Sequence, residues 1–206
     1  MNLRKHILFL ALLICLITPF ALYAEESEQT NPVSYRYDTG DQLFFFDAGL
    51  YRPLFILAPG QNSVYESIID NTYLGGNASM GFEAFYNHQV SFGVEIGYTF
   101  SYAKDNNLYT AVPLSANVSY YLLQGDIDLP ISLGAGIVYN SFADESYLSP
   151  IFLKPQIGLV WNFNDNWGVG LDLDYWFVSE FYMGDNAEKT TYLNSASARI
   201  TLQYKQ

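Results

Sequence analysis

The chain has 206 residues, a formal net charge of −12, 15% charged residues and a single cysteine. This length supports one ordinary domain. The acidity argues against nucleic-acid binding, which requires clustered lysine and arginine, and one cysteine excludes a disulfide framework.

The first 24 residues have the pattern of a signal peptide. Arg4 and Lys5 precede an apolar stretch at 7–17, and the small residue Ala24 stands directly before an acidic segment. We predict removal of this segment by cleavage after Ala24. Cys15 lies within it, so the mature chain is expected to have no thiol and no thiolate metal site. Loss of Arg4 and Lys5 leaves seven of the nine lysine and arginine residues and changes the formal charge from −12 to −14.

Eight later segments alternate between apolar and polar residues with a period of two. In Val90–Tyr102 every even-numbered residue is apolar or aromatic, and every odd-numbered residue after Val90 is Gly, Ser, Thr or Glu. This period is that of a β-strand with one apolar and one polar face. The predicted strands are 44–55, 74–86, 90–102, 110–122, 131–139, 151–163, 167–177 and 196–204.

The connections between these strands alternate in length. Those at 87–88, 124–126 and 164–166 are tight, whereas those at 57–72, 140–150 and 178–190 are long and that at 103–109 is intermediate. Short turns at one end and longer loops at the other are typical of a membrane barrel. We therefore predict an all-β fold, an eight-stranded antiparallel up-and-down transmembrane β-barrel, whose even strand number returns both termini to the short-turn end.

Alternation alone does not decide which face points outward. A soluble lipocalin-like barrel has its apolar face inside, and a membrane barrel has it outside. Here the polar face is mostly Gly, Ser, Asn and Thr, and seven basic residues are too few to cover a water-facing exterior. Small residues do suit the narrow interior of an eight-stranded barrel. The composition therefore predicts that the apolar face contacts lipid.

The aromatic residues of the apolar face are sorted toward the strand ends, with aliphatic residues between them. Two aromatic girdles around an aliphatic band are typical of a bilayer-spanning surface. The girdle near the tight turns is predicted to contain Phe44, Tyr86, Tyr120, Trp161, Phe163, Trp167 and Tyr204. The girdle near the longer loops is predicted to contain Tyr98, Phe100, Tyr102, Tyr139, Tyr175 and Phe177.

The signal peptide, the eight alternating strands, the girdles and the terminal segment ARITLQYKQ together resemble the small eight-stranded outer-membrane β-barrels of the OmpA, OmpX and OmpW type, barrel only. The resemblance covers nearly the whole mature chain but is architectural. One departure is that Lys205 and Gln206 follow Tyr204, where the family usually finishes on an aromatic residue that the assembly machinery reads.

This resemblance implies a domain order, a location and partners. We expect a signal peptide at 1–24, a periplasmic N-terminal linker at 25–41 and the outer-membrane barrel at 42–206. The location would be the bacterial outer membrane, with both termini periplasmic. The expected partners are outer-membrane lipid and the barrel-assembly machinery, no nucleic acid is expected, the chain would be a monomer, and no pattern identifies a surface ligand.

Charged residues of the inward phase predict a polar filling of the lumen. We expect Arg199 to bridge Asp47 and Asp172, and Lys154 to reach Asp174 on the adjacent strand. Five acids against two bases leave a surplus of three, so at least one carboxylate should be protonated, hydrated or paired with a cation. A plugged lumen is favoured over a conduction path. The full set is Asp47, Glu83, Glu95, Lys154, Asp172, Asp174 and Arg199.

Little in the sequence supports catalysis, a cofactor or a metal site. His88 is the only histidine after the signal peptide, and it lies in a tight turn, so no His–Ser pair can form at the long-loop rim. Asp172 and Asp174 could form a carboxylate pair, but a narrow lumen has no room for a substrate. We expect a protein that is not an enzyme and has no cofactor.

Three functions remain open on the sequence. The favoured one is a structural or surface-interaction role through the longer loops, with a plugged lumen. A narrow OmpW-like channel or transporter for small solutes, apolar ones included, is the second, and an apolar inward patch would support it. A soluble lipocalin-like binder is the third, and partition into membranes would distinguish it.

Overall fold

A computed structural model describes residues 35–57, 74–102, 108–142, 145–180 and 190–206. The predicted signal peptide, 1–24, and residues 25–34 of the predicted linker lie outside the described residues, as do most residues of the longer loops. In the part of the chain that is described, no helix is long and apolar enough to cross a membrane.

The described chain forms eight antiparallel strands that close into one barrel. They are β1 (Gln42–Leu57), β2 (Gly75–Phe85), β3 (Val90–Tyr102), β4 (Leu108–Leu123), β5 (Ile127–Phe142), β6 (Glu145–Asn162), β7 (Trp167–Glu180) and β8 (Thr191–Lys205). Each strand pairs with its neighbours in sequence, and β1 pairs with β8 from Leu43–Lys205 to Leu57–Tyr192. The predicted fold class is confirmed.

The strands extend further toward the longer loops than the sequence pattern indicated. The bounds of β3 agree with the prediction, but β6 begins at Glu145 rather than 151, and β8 begins at Thr191 rather than 196. Backbone pairing such as Asn140–Tyr147 continues through residues that have turn-type composition. We call the end with the tight turns the turn end and the opposite end the loop end.

The apolar phase of the strands points out of the barrel. On β3, Phe92, Val94, Ile96 and Tyr98 are about half exposed, whereas Ser91 and Thr99 on the other face are fully buried. The arrangement is opposite to that of a soluble barrel with an apolar interior. A bulge after Pro53 interrupts the alternation on β1 near the loop end.

Small residues allow the inward side chains to fill a narrow lumen. A Cβ atom on Gly81 would lie 2.2 Å from Cζ of Phe45, so the Phe45 ring occupies the space that a side chain would need. A Cβ atom on Gly158 would lie 2.4 Å from Oδ1 of Asp172. The glycines of the polar phase therefore make room for larger inward residues on neighbouring strands.

Candidate functional site: the charged lumen and its two apolar ends

Arg199 on β8 is the centre of the lumen, with a side chain that is fully buried. Its Nη1 lies 3.0 Å from Oδ2 of Asp47 and 3.0 Å from Oε1 of Glu95. Its Nε lies 2.9 Å from Oδ2 of Asp174, although that pair is poorly aligned for a hydrogen bond. Nη1 also donates to Oγ of Ser79 at 2.7 Å, and Nη2 donates to Oε1 of Gln156 at 2.9 Å. One guanidinium thus joins side chains from five other strands.

Glu95 on β3 connects the two buried cations. Its Oε1 faces Arg199, and its Oε2 contacts Nζ of Lys154 on β6. The amide of Asn117 donates to the same Oε2 at 3.3 Å. Neither β6 nor β8 is next to β3 in the barrel, so both contacts cross the lumen.

Two of the predicted pairings are wrong. Lys154 contacts Glu95 rather than Asp174, and Arg199 makes ion pairs with Asp174 and Glu95 rather than with Asp172. Only the Arg199–Asp47 pair has the predicted partner. The predictions considered only neighbouring strands, whereas Glu95, which both basic side chains contact, lies across the lumen on β3.

Two acids of the lumen, Glu83 and Asp172, form no ion pair with a described residue. Glu83 accepts hydrogen bonds from neutral donors, and Asp172 accepts none from a described residue. Ser91, Ser119 and Tyr121 donate hydroxyl hydrogen bonds to the Glu83 carboxylate at 2.5, 2.9 and 3.2 Å. Asp172 lines a cavity of about 40 Å³ and takes part in no hydrogen bond or ion pair with any described residue. All seven residues of the predicted lumen set are buried, and five of them are linked by ion pairs.

An apolar cluster fills the loop end of the lumen. Trp176 packs edge-on against Tyr51 and Phe152, with ring centroids 5.2 and 5.1 Å apart. No member is more than 9% exposed. This loop-end cluster contains Tyr51, Tyr109, Ala111, Val138, Phe142, Phe152, Trp176, Val178 and Leu193. The strand pattern did not predict this cluster. Several members lie beyond the predicted strand ends, and others are aromatic residues at positions where the pattern is otherwise polar.

A second apolar cluster closes the turn end. It consists of Tyr37, Leu43, Phe85 and Tyr121, and Tyr37 is fully buried although it precedes β1. Its ring stacks on Phe85 at 4.1 Å, and its hydroxyl donates to Oδ2 of buried Asp128 at 2.7 Å. Burial raises the pKa of Tyr37 well above its usual value, so the hydroxyl keeps the proton it donates. We call these four residues the turn-end cluster.

The residues around Tyr37 hold the segment before β1, residues 35–41, at the turn end of the barrel. Nη2 of Arg36 donates to the backbone carbonyls of Asn164 and Asp165, both at 3.0 Å. Lys205 Nζ lies 2.7 Å from Oδ2 of Asp41. Burial acts to raise the pKa of Asp41, but hydrogen bonds from Lys205 and from the Asp38 backbone outweigh it, and the pKa is lowered. Part of the predicted linker is therefore packed into the barrel mouth.

None of the thirteen predicted girdle residues is buried: each side chain is exposed or partly exposed on the outer surface of the barrel. Exposure is greatest for Tyr86 at 71% and Trp161 at 59%. Trp167 and Tyr204 pack together across β7 and β8, with ring centroids 4.8 Å apart. Four residues are half-buried against neighbours: Phe100, Tyr175, Phe177 and Tyr204.

We predict that Arg199→Ala lowers stability strongly. Removing the guanidinium leaves Asp47, Glu95 and Asp174 buried with less compensating charge, and breaking a buried ion pair costs about 3–5 kcal/mol. Urea unfolding of the refolded barrel measures the change. The control is Arg36→Ala, which removes a cation from the turn end rather than from the middle of the lumen. An Arg199→Ala barrel as stable as wild type would contradict the stabilising role of the Arg199 ion pairs.

We predict that Tyr37 contributes to stability through both its hydroxyl and its ring. Tyr37→Phe leaves buried Asp128 without its 2.7 Å donor, at a cost of about 1–3 kcal/mol. Tyr37→Ala also removes the contacts with Phe85 and Tyr121, so the loss should reach about 3–5 kcal/mol.

The matched control for Tyr37 is Tyr35→Ala. Tyr35 is 42% exposed and, among the described residues, its ring stacks on that of His88, so its replacement should change the unfolding free energy little. Equal losses for the Tyr35 and Tyr37 variants would show that the segment does not close the barrel mouth.

The barrel is similar to small outer-membrane barrels of known structure. Neisserial surface protein A is 12% identical, with a TM-score of 0.56 over 82% of this chain and 98% of that one. The outer-membrane protein OprG from Pseudomonas aeruginosa is 13% identical, with a TM-score of 0.53 over 84% and 99%. At these identities the similarity establishes the fold alone.

Sequence relatives occur in two bacteria. An uncharacterized protein of Borreliella burgdorferi is 21% identical over 162 residues, which are 68% of this chain and 75% of that protein. An uncharacterized protein of Treponema pallidum is 25% identical over 96 residues, 47% of this chain and 43% of that protein. The match thus spans less than half the length of the Treponema protein. The profile of an uncharacterized protein family matches residues 24–204, and the chain belongs to that family.

Proposed function

We propose that the protein is a bacterial outer-membrane β-barrel with a closed lumen, which acts as a structural or surface-interaction protein through its longer loops. The observation that carries this proposal is the inversion of the barrel, with apolar side chains outside and charged ones inside. An apolar exterior of this size is stable only against lipid or another apolar surface. The similarity to Neisserial surface protein A and OprG supports the same location.

The closed lumen follows from three layers of inward side chains. On β1, Asp47 lies between Leu43 of the turn-end cluster and Tyr51 of the loop-end cluster. In the middle layer, Lys154 forms an ion pair with Glu95. Arg199 forms ion pairs with Asp47, Glu95 and Asp174. An ion crossing the barrel would have to displace both apolar clusters and separate buried ion pairs.

The orientation is proposed from the barrel ends. Both Leu43 and Lys205 lie at the turn end, and short turns face the periplasm in barrels of this architecture. The termini of the barrel would then be periplasmic, and the longer loops would face outside. We propose OmpA-, OmpX- and OmpW-type barrels as the wider group, and we propose no catalytic activity, because His88 lies at the turn end.

We predict that a charge on the outer surface destabilises the barrel according to its depth. Ile96 lies at the middle of β3 and Tyr102 at its loop end. In lipid vesicles, Ile96→Arg should cost about 2–4 kcal/mol and Tyr102→Arg about 0–1 kcal/mol, since charge is least tolerated at the bilayer midplane. Urea unfolding compares the two variants; equal losses would argue against a bilayer around the barrel.

We predict that the barrel does not conduct ions. Protein from residue 25 onward, refolded in detergent and shown to be folded by a cold-versus-boiled gel shift, should give no reproducible steps in a planar bilayer. Silence with a well-folded sample supports the closed lumen. Reproducible cation-selective steps that change in Asp172→Asn would contradict it.

A second candidate function is an OmpW-like passage for small apolar solutes. The inward loop-end cluster favours it, because aromatic side chains such as Trp176 and Tyr109 line that end of the lumen. However, the aromatic rings of this cluster pack against one another, as Trp176 does against Tyr51 and Phe152. Faster entry of a small apolar fluorescent probe into vesicles that contain the protein, reversed by filling the cluster with Ala111→Phe, would favour this candidate.

A further inference from the structure

The described lumen holds more negative than positive charge. Three of its five acids, Asp47, Glu95 and Asp174, form ion pairs with Arg199 or Lys154. Glu83 accepts hydrogen bonds from three hydroxyl groups, so its carboxylate already has partners without a cation. Asp172 differs from the other four because it has neither kind of partner.

Asp172 is 5% exposed, and what remains exposed faces the central cavity. No hydrogen bond or ion pair to it occurs within residues 35–57, 74–102, 108–142, 145–180 and 190–206. Gly158 provides room for its carboxylate, since a Cβ atom there would lie 2.4 Å from Oδ1. A buried carboxylate without a partner is unfavourable, so the cavity is the place where its partner would lie.

The cavity fits a small hydrated cation. Its volume of about 40 Å³ exceeds the roughly 10–15 Å³ that one water molecule needs. Oxygen-bearing side chains line it together with Asp172, and hard cations prefer oxygen ligands. These are Glu83, Glu95, Asn117, Tyr121, Ser132, Gln156, Thr201 and Gln203. Among the residues that the structure describes, no three His, Cys, Asp or Glu side chains are grouped as they would be for a divalent or transition metal.

We propose that this cavity binds one monovalent cation of sodium size, held by the Asp172 carboxylate, neutral oxygens and water. Glu83 and Glu95 already have partners, so the Asp172 carboxylate is left to match a single charge. The turn-end and loop-end clusters lie on either side of the cavity, so the ion would be part of the folded barrel rather than a passing one. The site requires only the lumen geometry and is independent of the proposed surface role.

The test is the sodium dependence of stability in refolded protein from residue 25 onward. Urea unfolding is followed at constant ionic strength while sodium chloride replaces choline chloride, whose cation is too large for the cavity. Each tenfold rise in sodium above its dissociation constant should raise the folded-to-unfolded ratio about tenfold. Asp172→Asn should abolish this dependence and should be no less stable than wild type in choline.

A matched control separates Asp172 from acids outside the cavity. Asp126→Asn removes an exposed carboxylate at the turn end and should keep the sodium dependence. A barrel insensitive to sodium would overturn the proposal.

A proton is the competing occupant, because Asp172 faces Asp47 and Asp174 as well as Arg199 and Lys154. Stability that ignores sodium but rises as pH falls, and loses that rise in Asp172→Asn, would show protonation and overturn the cation site.

Discussion

The rest of the lumen depends on the contacts of one guanidinium. The backbone ladder joins each strand only to its two neighbours, whereas Arg199 on β8 also contacts Ser79, Glu95 and Gln156 on β2, β3 and β6, none of which pairs with β8. Arginine can do this because its planar group carries five donors and keeps its charge when buried. An eight-stranded barrel is narrow enough for one side chain to reach most of its wall. The contacts therefore link strands that the backbone ladder leaves unpaired.

The apolar clusters at the two ends strengthen the ion pairs of the charged layer between them. They also raise the cost of leaving any charge in that layer unpaired. The ion pairs between the clusters are buried, so each pair is stronger than at a surface and each missing partner is more damaging. The same conditions apply to Asp172, which lies in the layer without a partner of its own. An apolar exterior around a charged interior is the arrangement expected of a small barrel that spans a membrane.

The sequence predicted the features that follow from a period of two. The bounds of β3, the outward apolar phase and the strand number agree with the structure because they depend on local alternation. The partners of Lys154 were wrong because they depend on reach across the lumen, which no local pattern encodes. The burial of Tyr37 was missed for the same reason, since it depends on Phe85 and Asp128, distant in sequence.

The most direct test of the closed lumen is the reactivity of single cysteines in folded protein from residue 25 onward, which has no cysteine of its own. Ser115→Cys places a thiol in the middle of the lumen, where the native side chain is 4% exposed, and Asp126→Cys places one on an exposed turn. We predict that a charged thiol reagent modifies position 126 quickly and position 115 only after unfolding. Equally fast modification at both positions would show that water and solutes enter the lumen, and would contradict a closed lumen.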